Sequence, residues 1–164
     1  MKHLLCAVLL LSGLPLLSGC SSESGAQEVP RTGVGPVPPE AQFYSLNQGE
    51  HPLSGSTAKQ TRVITTQEDY ATALKIYTAT PPTNVDFSKG KVLLVDMGAR
   101  PSSGYGIAVT SVDVMDNAVV ANVELLATGT GCVVLTLITN PYQFVYIPTT
   151  KEVLVSEKLI VHNC

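Results

Sequence analysis

Hydrophobic positions along this chain follow two periods, and the first of them predicts a helix. Between residues 66 and 78, Tyr70, Leu74 and Tyr77 recur at the i, i+4 and i+7 spacing of a single helix face. The run Thr-Thr-Gln-Glu, which begins at Thr65, matches a capping box at the start of this segment. The pattern therefore predicts one helix over 66–78 with the Thr65 hydroxyl at its N-cap.

After the helix the hydrophobic period changes to two, which is typical of β-strands. Lys91–Met97 is a nearly continuous apolar run and predicts a buried strand. Tyr105–Val114 alternates with a one-residue slip, which indicates a β-bulge near Thr110. A hairpin turn at Met115–Asn117 should lead into a strand whose inward face is formed by Val119, Ala121, Val123 and Leu125. Further extended segments are expected at 43–46, 61–65, 132–138, 143–147 and 153–161.

Short strands joined by tight turns, with a single helical pattern among them, favour a mainly β fold with one helix. We expect an antiparallel β-sandwich or half-barrel. The α/β class does not fit, because it needs a helix between successive strands. Residues 42–164 are expected to form a single β-rich domain.

The composition argues against nucleic-acid binding and against catalysis. Of the 164 residues, 14% are charged, and the formal net charge is −3. The chain has too few lysines and arginines to build the basic face of a nucleic-acid-binding protein. The acids are scattered singly, and neither His51 nor His162 stands in a pattern that offers it a nucleophile. We therefore expect no catalytic residues, no cofactor and no metal, and a binding module rather than an enzyme.

The first 19 residues read as an export signal. The apolar run Leu4–Leu17 would be about 21 Å long as a helix, which is shorter than the roughly 30 Å hydrocarbon core of a membrane. The run leads into Leu-Ser-Gly-Cys ending at Cys20, which resembles the lipobox of bacterial lipoproteins. Cys20 is therefore expected to be lipidated after cleavage. The alternative is an ordinary signal peptide with an incidental cysteine.

Residues 20–41 are rich in Pro, Gly and Ser and lack an apolar pattern, so we expect a flexible linker between lipid and domain. A proline-rich ligand for a partner is the alternative. Ser21 after the lipidated cysteine resembles lipoproteins sorted to the outer membrane. We expect a protein anchored by its N-terminal lipid in the bacterial cell envelope, at the outer membrane and facing the periplasm.

Two cysteines, Cys132 and Cys164, remain in the expected folded part. In an exported protein two thiols most simply form one disulfide, so we expect this pair to be bonded. A metal site of Cys132, His162 and Cys164 is the alternative, although no fourth ligand has recognisable spacing.

Three loops contain proline, glycine or both, residues that restrict or extend the backbone conformations open to a turn. The candidate binding residues in them are Arg100, Pro101, Ser102, Ser103, Gly104 and Tyr105 in the first loop, Gly129 and Gly131 in the second, and Asn140, Pro141 and Tyr142 in the third. Rigid loops on a β scaffold lose little entropy on binding, so we expect them to form one interaction surface. The alternative is that they are only turns that shape the fold.

Several segments after residue 85 carry a resemblance to a known family. They are VLLVDMG followed by RPSSGYGIAV, the Gly131-Cys132 pair, NPYQFVYIP at 140–148, and the final strand that ends in Cys164. Over 85–164 the chain resembles the C-terminal domain of the PrcB family, named for a lipoprotein subunit of a spirochaete protease complex. The resemblance implies a non-catalytic partner that binds and stabilises a protease.

The same loops show a looser similarity to chagasin-type inhibitors of papain-like cysteine proteases, which present three loops at one end of an immunoglobulin-like sandwich. Arg100–Tyr105 is similar to their N-P-T-T-G-Y loop, Gly129–Cys132 to their Gly-rich loop, and Asn140–Tyr142 to their third loop. Arg replaces Asn in the first loop, and Asn and Tyr stand in the third where Arg and an aromatic residue are expected. This similarity implies protease inhibition.

Together these patterns favour an envelope lipoprotein that binds a protein partner, a protease on the family resemblance, through its Gly- and Pro-rich loops. The alternatives are a structural or assembly lipoprotein with no protease partner, and a chagasin-like inhibitor.

We expect Cys20→Ser to abolish the incorporation of labelled palmitate and to move the protein from the membrane fraction to the soluble fraction, because the acyl chains supply the anchoring. Metabolic labelling followed by fractionation measures both effects. Cys6→Ser is the matched control, since Cys6 belongs to the segment that cleavage removes. Equal labelling of the Cys20→Ser variant and the wild type contradicts the lipobox interpretation.

Overall fold

A computed structural model describes residues 39–55 and 57–164. The signal segment 1–19, the lipidation site Cys20 and all but the last three residues of the linker 20–41 lie outside the described residues. Within the described part, the single helix is too short and too polar to cross a membrane.

The described chain contains one helix and seven strands. The helix, α1, is Gln67–Tyr77. The strands are β1 Tyr44–Gly49, β2 Gln60–Ile64, β3 Lys91–Asp96, β4 Gly106–Val114, β5 Ala118–Thr128, β6 Tyr142–Ile147 and β7 Glu152–His162. They form a four-stranded sheet in the order β1-β6-β3-β2 and a three-stranded sheet in the order β4-β5-β7. The expected mainly β fold with one helix is confirmed, and its two sheets have the arrangement of a β-sandwich.

The apolar run of β3 exists because both faces of the first sheet are covered. Val92 and Leu94 pack in a cluster with the buried residues of α1, whereas Leu93 and Val95 pack in a cluster with the second sheet. A strand that is buried on both faces has no solvent-facing positions and therefore shows no polar alternation. The layers are thus helix, first sheet and second sheet.

The second sheet combines an antiparallel hairpin with a parallel pair. β4 pairs with β5 with a register shift between Val109 and Ser111, which confirms the bulge predicted near Thr110. β5 pairs with β7 in parallel along its whole length, so the expectation of a wholly antiparallel sandwich is wrong for this pair. The difference follows from the connectivity. β7 is reached from β6 in the first sheet and not through a hairpin from β5, so its direction need not oppose that of β5.

A polar bridge joins the two sheets at the bulge. The side chain of Gln143, on β6, is buried, and its Oε1 accepts a hydrogen bond from the Val109 N–H at 2.8 Å. Its Nε2 lies 3.4 Å from both Ser45 Oγ and Gln48 Oε1 on β1. The amide thus satisfies a backbone donor that the irregular ladder leaves free, and it fixes β4 against the first sheet.

Two local predictions differ from the structure. The helix begins one residue later than expected: Thr66, not Thr65, is the N-cap, and its side chain accepts a hydrogen bond from the Asp69 N–H at 3.1 Å. Residues 132–138 form no strand, although their sequence has strand character. Within the described residues no neighbouring strand pairs with them, and without a ladder a β-prone segment stays irregular.

The cap assignment predicts different effects for the two adjacent threonines. Thr66→Ala should lower the free energy of unfolding by about 1 kcal/mol, because the Asp69 N–H loses its acceptor. Thr65→Ala, the matched control, should have little effect, since Thr65 is exposed and no hydrogen bond to its side chain is found among the described residues. Urea denaturation measures both. A larger loss for Thr65→Ala than for Thr66→Ala contradicts the cap assignment.

Candidate functional site

The first predicted loop is hydrogen-bonded, at one end of the sandwich, to the segment between the second and third predicted loops. The Arg100 N–H donates to the Thr139 carbonyl at 2.7 Å, and the Thr139 N–H donates back to the Arg100 carbonyl at 3.1 Å. The Ser103 N–H donates to the Leu135 carbonyl at 3.0 Å, and the Leu135 N–H donates to Ser103 Oγ at 2.9 Å. Four hydrogen bonds therefore hold the first loop against the segment that connects the second loop to the third.

The second loop is tied to the residues after β7. The Gly129 N–H donates to the His162 carbonyl at 2.8 Å, and the Cys164 N–H donates to the Thr130 carbonyl at 3.2 Å. Cys132 and Cys164 are joined by a disulfide with their Cα atoms 4.8 Å apart, as expected. The disulfide uses both thiols, so the alternative metal site loses its sulfur ligands. Among the described residues, no group of three or more His, Cys, Asp or Glu side chains is placed to hold a metal ion.

A fourth segment, which the sequence did not single out, joins the same end. The Asn140 N–H donates to the Glu50 carbonyl at 2.6 Å, and the Ala99 N–H donates to the Thr57 carbonyl at 3.1 Å. Between the turn that follows Glu50 and Ile138 lies an open cavity of about 200 Å³. We call the segments 50–59, 97–105, 128–141 and 162–164 together the loop end.

A buried carboxylate organises this end from below. Asp96, the last residue of β3, is 1% exposed. Its Oδ1 accepts hydrogen bonds from the Gly98 N–H at 2.8 Å and from Asn140 Nδ2 at 2.7 Å. Its Oδ2 lies 2.5 Å from the Tyr77 hydroxyl and 2.5 Å from the Thr57 hydroxyl. We call these five residues the Asp96 network.

The network connects segments that are distant in sequence. Thr57 belongs to the newly found segment, Gly98 to the first loop, Asn140 to the third and Tyr77 to the end of α1. Hydrogen bonds to an ionised carboxylate are stronger than neutral ones, and four donors offset much of the cost of burying its charge. The Thr57 N–H also donates to Asn140 Oδ1 at 2.7 Å, which closes the network.

The geometry of the first loop depends on a glycine at position 98. Gly98 has a φ of +74°, and a Cβ at this position would lie 2.6 Å from the Lys59 backbone nitrogen. Any other residue would face both backbone strain and a clash with the neighbouring segment. The tight turn aims the Gly98 N–H back at Asp96.

The Tyr77 hydroxyl is held in its neutral form. Burial raises the pKa of Tyr77 above its ordinary value of 10.0, and the hydrogen bond to Asp96 and the negative charge of that residue raise the pKa further. Gln60 Nε2 donates to the same hydroxyl at 3.0 Å. Tyr77 thus serves as a donor to the carboxylate, and it is not a candidate base.

The structure places the predicted loop residues at different depths. Pro101, Gly104 and Gly131 are exposed, and Arg100, Ser102, Ser103, Tyr105 and Gly129 are half-buried. Asn140, Pro141 and Tyr142 are buried, so the structure does not bring them to the surface with the candidate residues of the first two loops. Asn140 belongs to the Asp96 network, and the Tyr142 ring packs 4.5 Å from the Tyr77 ring centroid to centroid. These side chains support the surface and cannot contact a partner in this arrangement.

Arg100 is also engaged within the chain. Its Nη2 donates to the Met97 carbonyl at 2.6 Å, and its guanidinium lies 5.9 Å from the centre of the Tyr105 ring. These contacts bend the first loop back on itself. Arg100 therefore clamps the loop rather than presenting a free charge.

The exposed part of the loop end is apolar. Residues 133–138, Val-Val-Leu-Thr-Leu-Ile, are all exposed, with Val133 at 99% and Leu135 at 68%. We call this segment the apolar tip. Adjacent exposed apolar side chains of this size are uncommon on a monomer and often mark an interaction site. The sequence does not reveal the tip, because its strand-like pattern is also typical of a strand that is paired in a sheet.

Comparison with known proteins gives one match. Residues 91–148 match the family model described as PrcB C-terminal, which confirms the resemblance over this segment. No curated protein and no solved structure matches the chain. The matched segment contains Asp96, the first and third loops and the whole apolar tip.

The Asp96 network predicts a large loss in the free energy of unfolding when one carboxylate oxygen of Asp96 is replaced by an amide nitrogen. Asp96→Asn should lower the free energy of unfolding by about 2–4 kcal/mol, because the charge that strengthens four hydrogen bonds is lost in a buried place. Asp113→Asn is the matched control on β4, where the half-buried carboxylate accepts from Asn122 Nδ2 at 2.8 Å, and it should cost about 1 kcal/mol or less. Urea denaturation of both variants checks this; equal losses would contradict the role of the network.

Proposed function

We infer that this chain is a non-catalytic lipoprotein of the bacterial envelope that binds a protease complex through its loop end. The PrcB C-terminal match associates residues 91–148 with a subunit of a protease complex, and it supports the partner class. The lipobox-like sequence at Cys20 supports the anchor, and the linker that follows would let the domain reach a partner at the membrane surface. The outer membrane, facing the periplasm, remains the proposed location.

The observation that carries the proposed function is the apolar tip. Its side chains are exposed on a segment held at both ends, by the Cys132–Cys164 disulfide and by the Arg100–Thr139 bridge. A rigid apolar surface buries area on binding without a large ordering cost, and such clusters supply most of the binding energy at protein interfaces. The position of the tip inside the matched segment links the surface to the family.

The polar rim of the tip supports a protein partner rather than a lipid surface. Ser102 and Ser103 lie beside the tip and are half-buried; the Ser103 hydroxyl accepts from the Leu135 N–H, and the Ser102 carbonyl accepts from the Thr139 hydroxyl. Lipid-binding segments usually add basic residues to an apolar face, whereas the run from Gly131 to Thr139 contains no charge. An apolar centre with a neutral polar rim is the usual composition of a protein interface.

The chagasin-like alternative gains no support from the geometry. Such an inhibitor needs three exposed loops, and here residues 140–142 are buried. The structural or assembly lipoprotein remains the contrasting hypothesis, and the experiment below separates the two.

The double variant Val133→Ser, Leu135→Ser should reduce protease retention by about tenfold or more, because two exposed apolar contacts are lost. The full-length chain, solubilised in detergent, serves as bait for envelope extracts, and retained proteolytic activity is measured. Met115→Ser with Leu154→Ser is the control, since both are exposed apolar side chains, 41% and 46% accessible, at the opposite end of the second sheet. This control should retain protease as the wild type does.

Equal retention by both double variants, with unchanged thermal unfolding, contradicts the proposed role of the tip. If the wild type retains only cell-wall or membrane components, the structural lipoprotein is favoured. The activity of the retained protease then distinguishes a stabilising subunit from an inhibitor, because only an inhibitor lowers the turnover of a small substrate.

A further inference from the structure

The second loop holds the residues that follow β7. The Gly129 N–H donates to the His162 carbonyl at 2.8 Å, and the Cys164 N–H donates to the Thr130 carbonyl at 3.2 Å. The Thr130 N–H in turn donates to Asn163 Oδ1 at 3.2 Å. Three hydrogen bonds therefore join two segments that lie about thirty residues apart in the sequence.

The disulfide between Cys132 and Cys164 closes the same contact covalently. Gly131, the residue before Cys132, has a φ of +82°, and a Cβ there would lie 3.2 Å from the Cys164 carbonyl oxygen. The glycine thus gives the loop a backbone conformation and a close approach that other residues would hinder. We call the disulfide and the three hydrogen bonds together the clasp.

The clasp fixes one end of the apolar tip. Cys132 directly precedes Val133, the first residue of the tip. The other end is fixed separately, by the backbone pair of Arg100 with Thr139. Opening the clasp would therefore release the first residues of the tip and leave the last ones in place.

Little besides the clasp covers the segment that it holds. From Ser156 to Cys164 every residue is exposed except Ile160, which is half-buried. Neither Cys132 nor Cys164 belongs to either of the two apolar core clusters. A segment with so few buried apolar contacts opens at a lower free energy than the core does. The clasp can therefore open while the two sheets and the helix stay folded.

The disulfide is also accessible to a reductant, because Cys164 is exposed and Cys132 is half-buried. Exposed disulfides are more easily reduced than buried structural ones and are often regulatory. In the reaction, one thiolate of a dithiol attacks a sulfur of the bond and forms a mixed disulfide, which the second thiol of the reductant resolves. Two electrons and two protons pass to the pair, so that Cys132 and Cys164 become thiols and the dithiol becomes a disulfide.

We propose that the Cys132–Cys164 disulfide is a redox-sensitive latch on the apolar tip. In the oxidised chain the clasp holds the tip in place for binding. Reduction by a dithiol opens the clasp while the domain stays folded, and the released tip binds the protease more weakly because it must first be ordered. The local release follows from the clasp alone, whereas the change in binding rests on the proposed function.

Amide hydrogen exchange of the full-length chain in detergent, with and without excess dithiothreitol, tests the local release. We expect the amides of Gly129 and Cys164 to exchange about tenfold faster or more after reduction, because both are hydrogen-bonded within the clasp. The amides of Arg100 and Thr139, which fix the other end of the tip, should exchange at unchanged rates.

The double variant Cys132→Ser, Cys164→Ser is the matched control. It keeps Cys20 and has no bond to reduce, so it should show the fast exchange of Gly129 with and without dithiothreitol. The reductant should thus alter the wild type alone. Any change that dithiothreitol causes in both chains does not come from this disulfide.

Binding is measured with the purified protease that the oxidised wild type retains, by surface plasmon resonance. We expect reduction to weaken the affinity of the wild type by about tenfold, and the double variant to bind equally weakly in both conditions. The variant without dithiothreitol separates the effect of the open clasp from any action of the reductant on the protease.

The outcomes distinguish the latch from the proposed function. Faster exchange throughout β3 as well would make the disulfide a support of the whole domain and overturn the latch. A bond that stays intact in excess dithiothreitol, or exchange that stays slow after reduction, also overturns it. Local release with unchanged affinity overturns the control of binding and leaves the proposed function standing. If the oxidised chain retains no protease, the proposed function and the control of binding both fall, and the exchange rates still decide the local release.

Discussion

The ionised carboxylate of Asp96 is the constraint on which the loop end depends. A charge in a nearly inaccessible place must be surrounded by donors, and its four donors come from the helix end and from three separate loops. The requirement of one side chain therefore determines the conformation of four segments. It also explains the burial of the third loop, since Asn140 must reach down to the carboxylate and draws Pro141 and Tyr142 with it. The outward face of the loop end consists of the residues that are not used to bind the carboxylate.

The layered core holds the strand from which the Asp96 network begins. Because β3 is covered by the helix on one face and by the second sheet on the other, its last residue emerges at a rigid point between three layers. Gln143 reinforces this arrangement by bonding across the sandwich to the backbone at the β4 bulge. The Asp96 network thus fixes the loops, and the Gln143 bond fixes the two sheets relative to each other. The apolar groups around these polar contacts supply most of the stabilisation. Because the core and the Asp96 network are rigid, the exposed apolar residues of the tip are held away from the core and do not pack onto it.

Patterns confined to a few residues predicted much of this architecture. The period of the helix, the apolar run of β3, and the slip at Thr110 each report a local geometry, and the structure has all three. The Asp96 network could not be predicted in this way, since its side-chain partners lie 19, 39 and 44 residues away along the chain. Its one signal was a single acid at the end of an apolar strand. The direction of β7 was equally hidden, because parallel and antiparallel strands share the same period. Residues 132–138 show the remaining limit: composition reports a preference for the strand conformation, and pairing requires a neighbour that composition does not supply.

The parallel pairing of β5 with β7 has a consequence for the order of folding. The hairpin of β4 and β5 can form early, because its residues are adjacent in sequence, but β7 must wait until the chain has passed through β6 in the other sheet. Until that strand arrives, one edge of β5 is open and its apolar residues lack part of their cover. The second sheet is therefore completed late, and with it the contacts that β7 and the residues after it make with the second loop. The chain is most vulnerable to proteolysis and to misassociation in this interval, before its own final strand has closed the sheet.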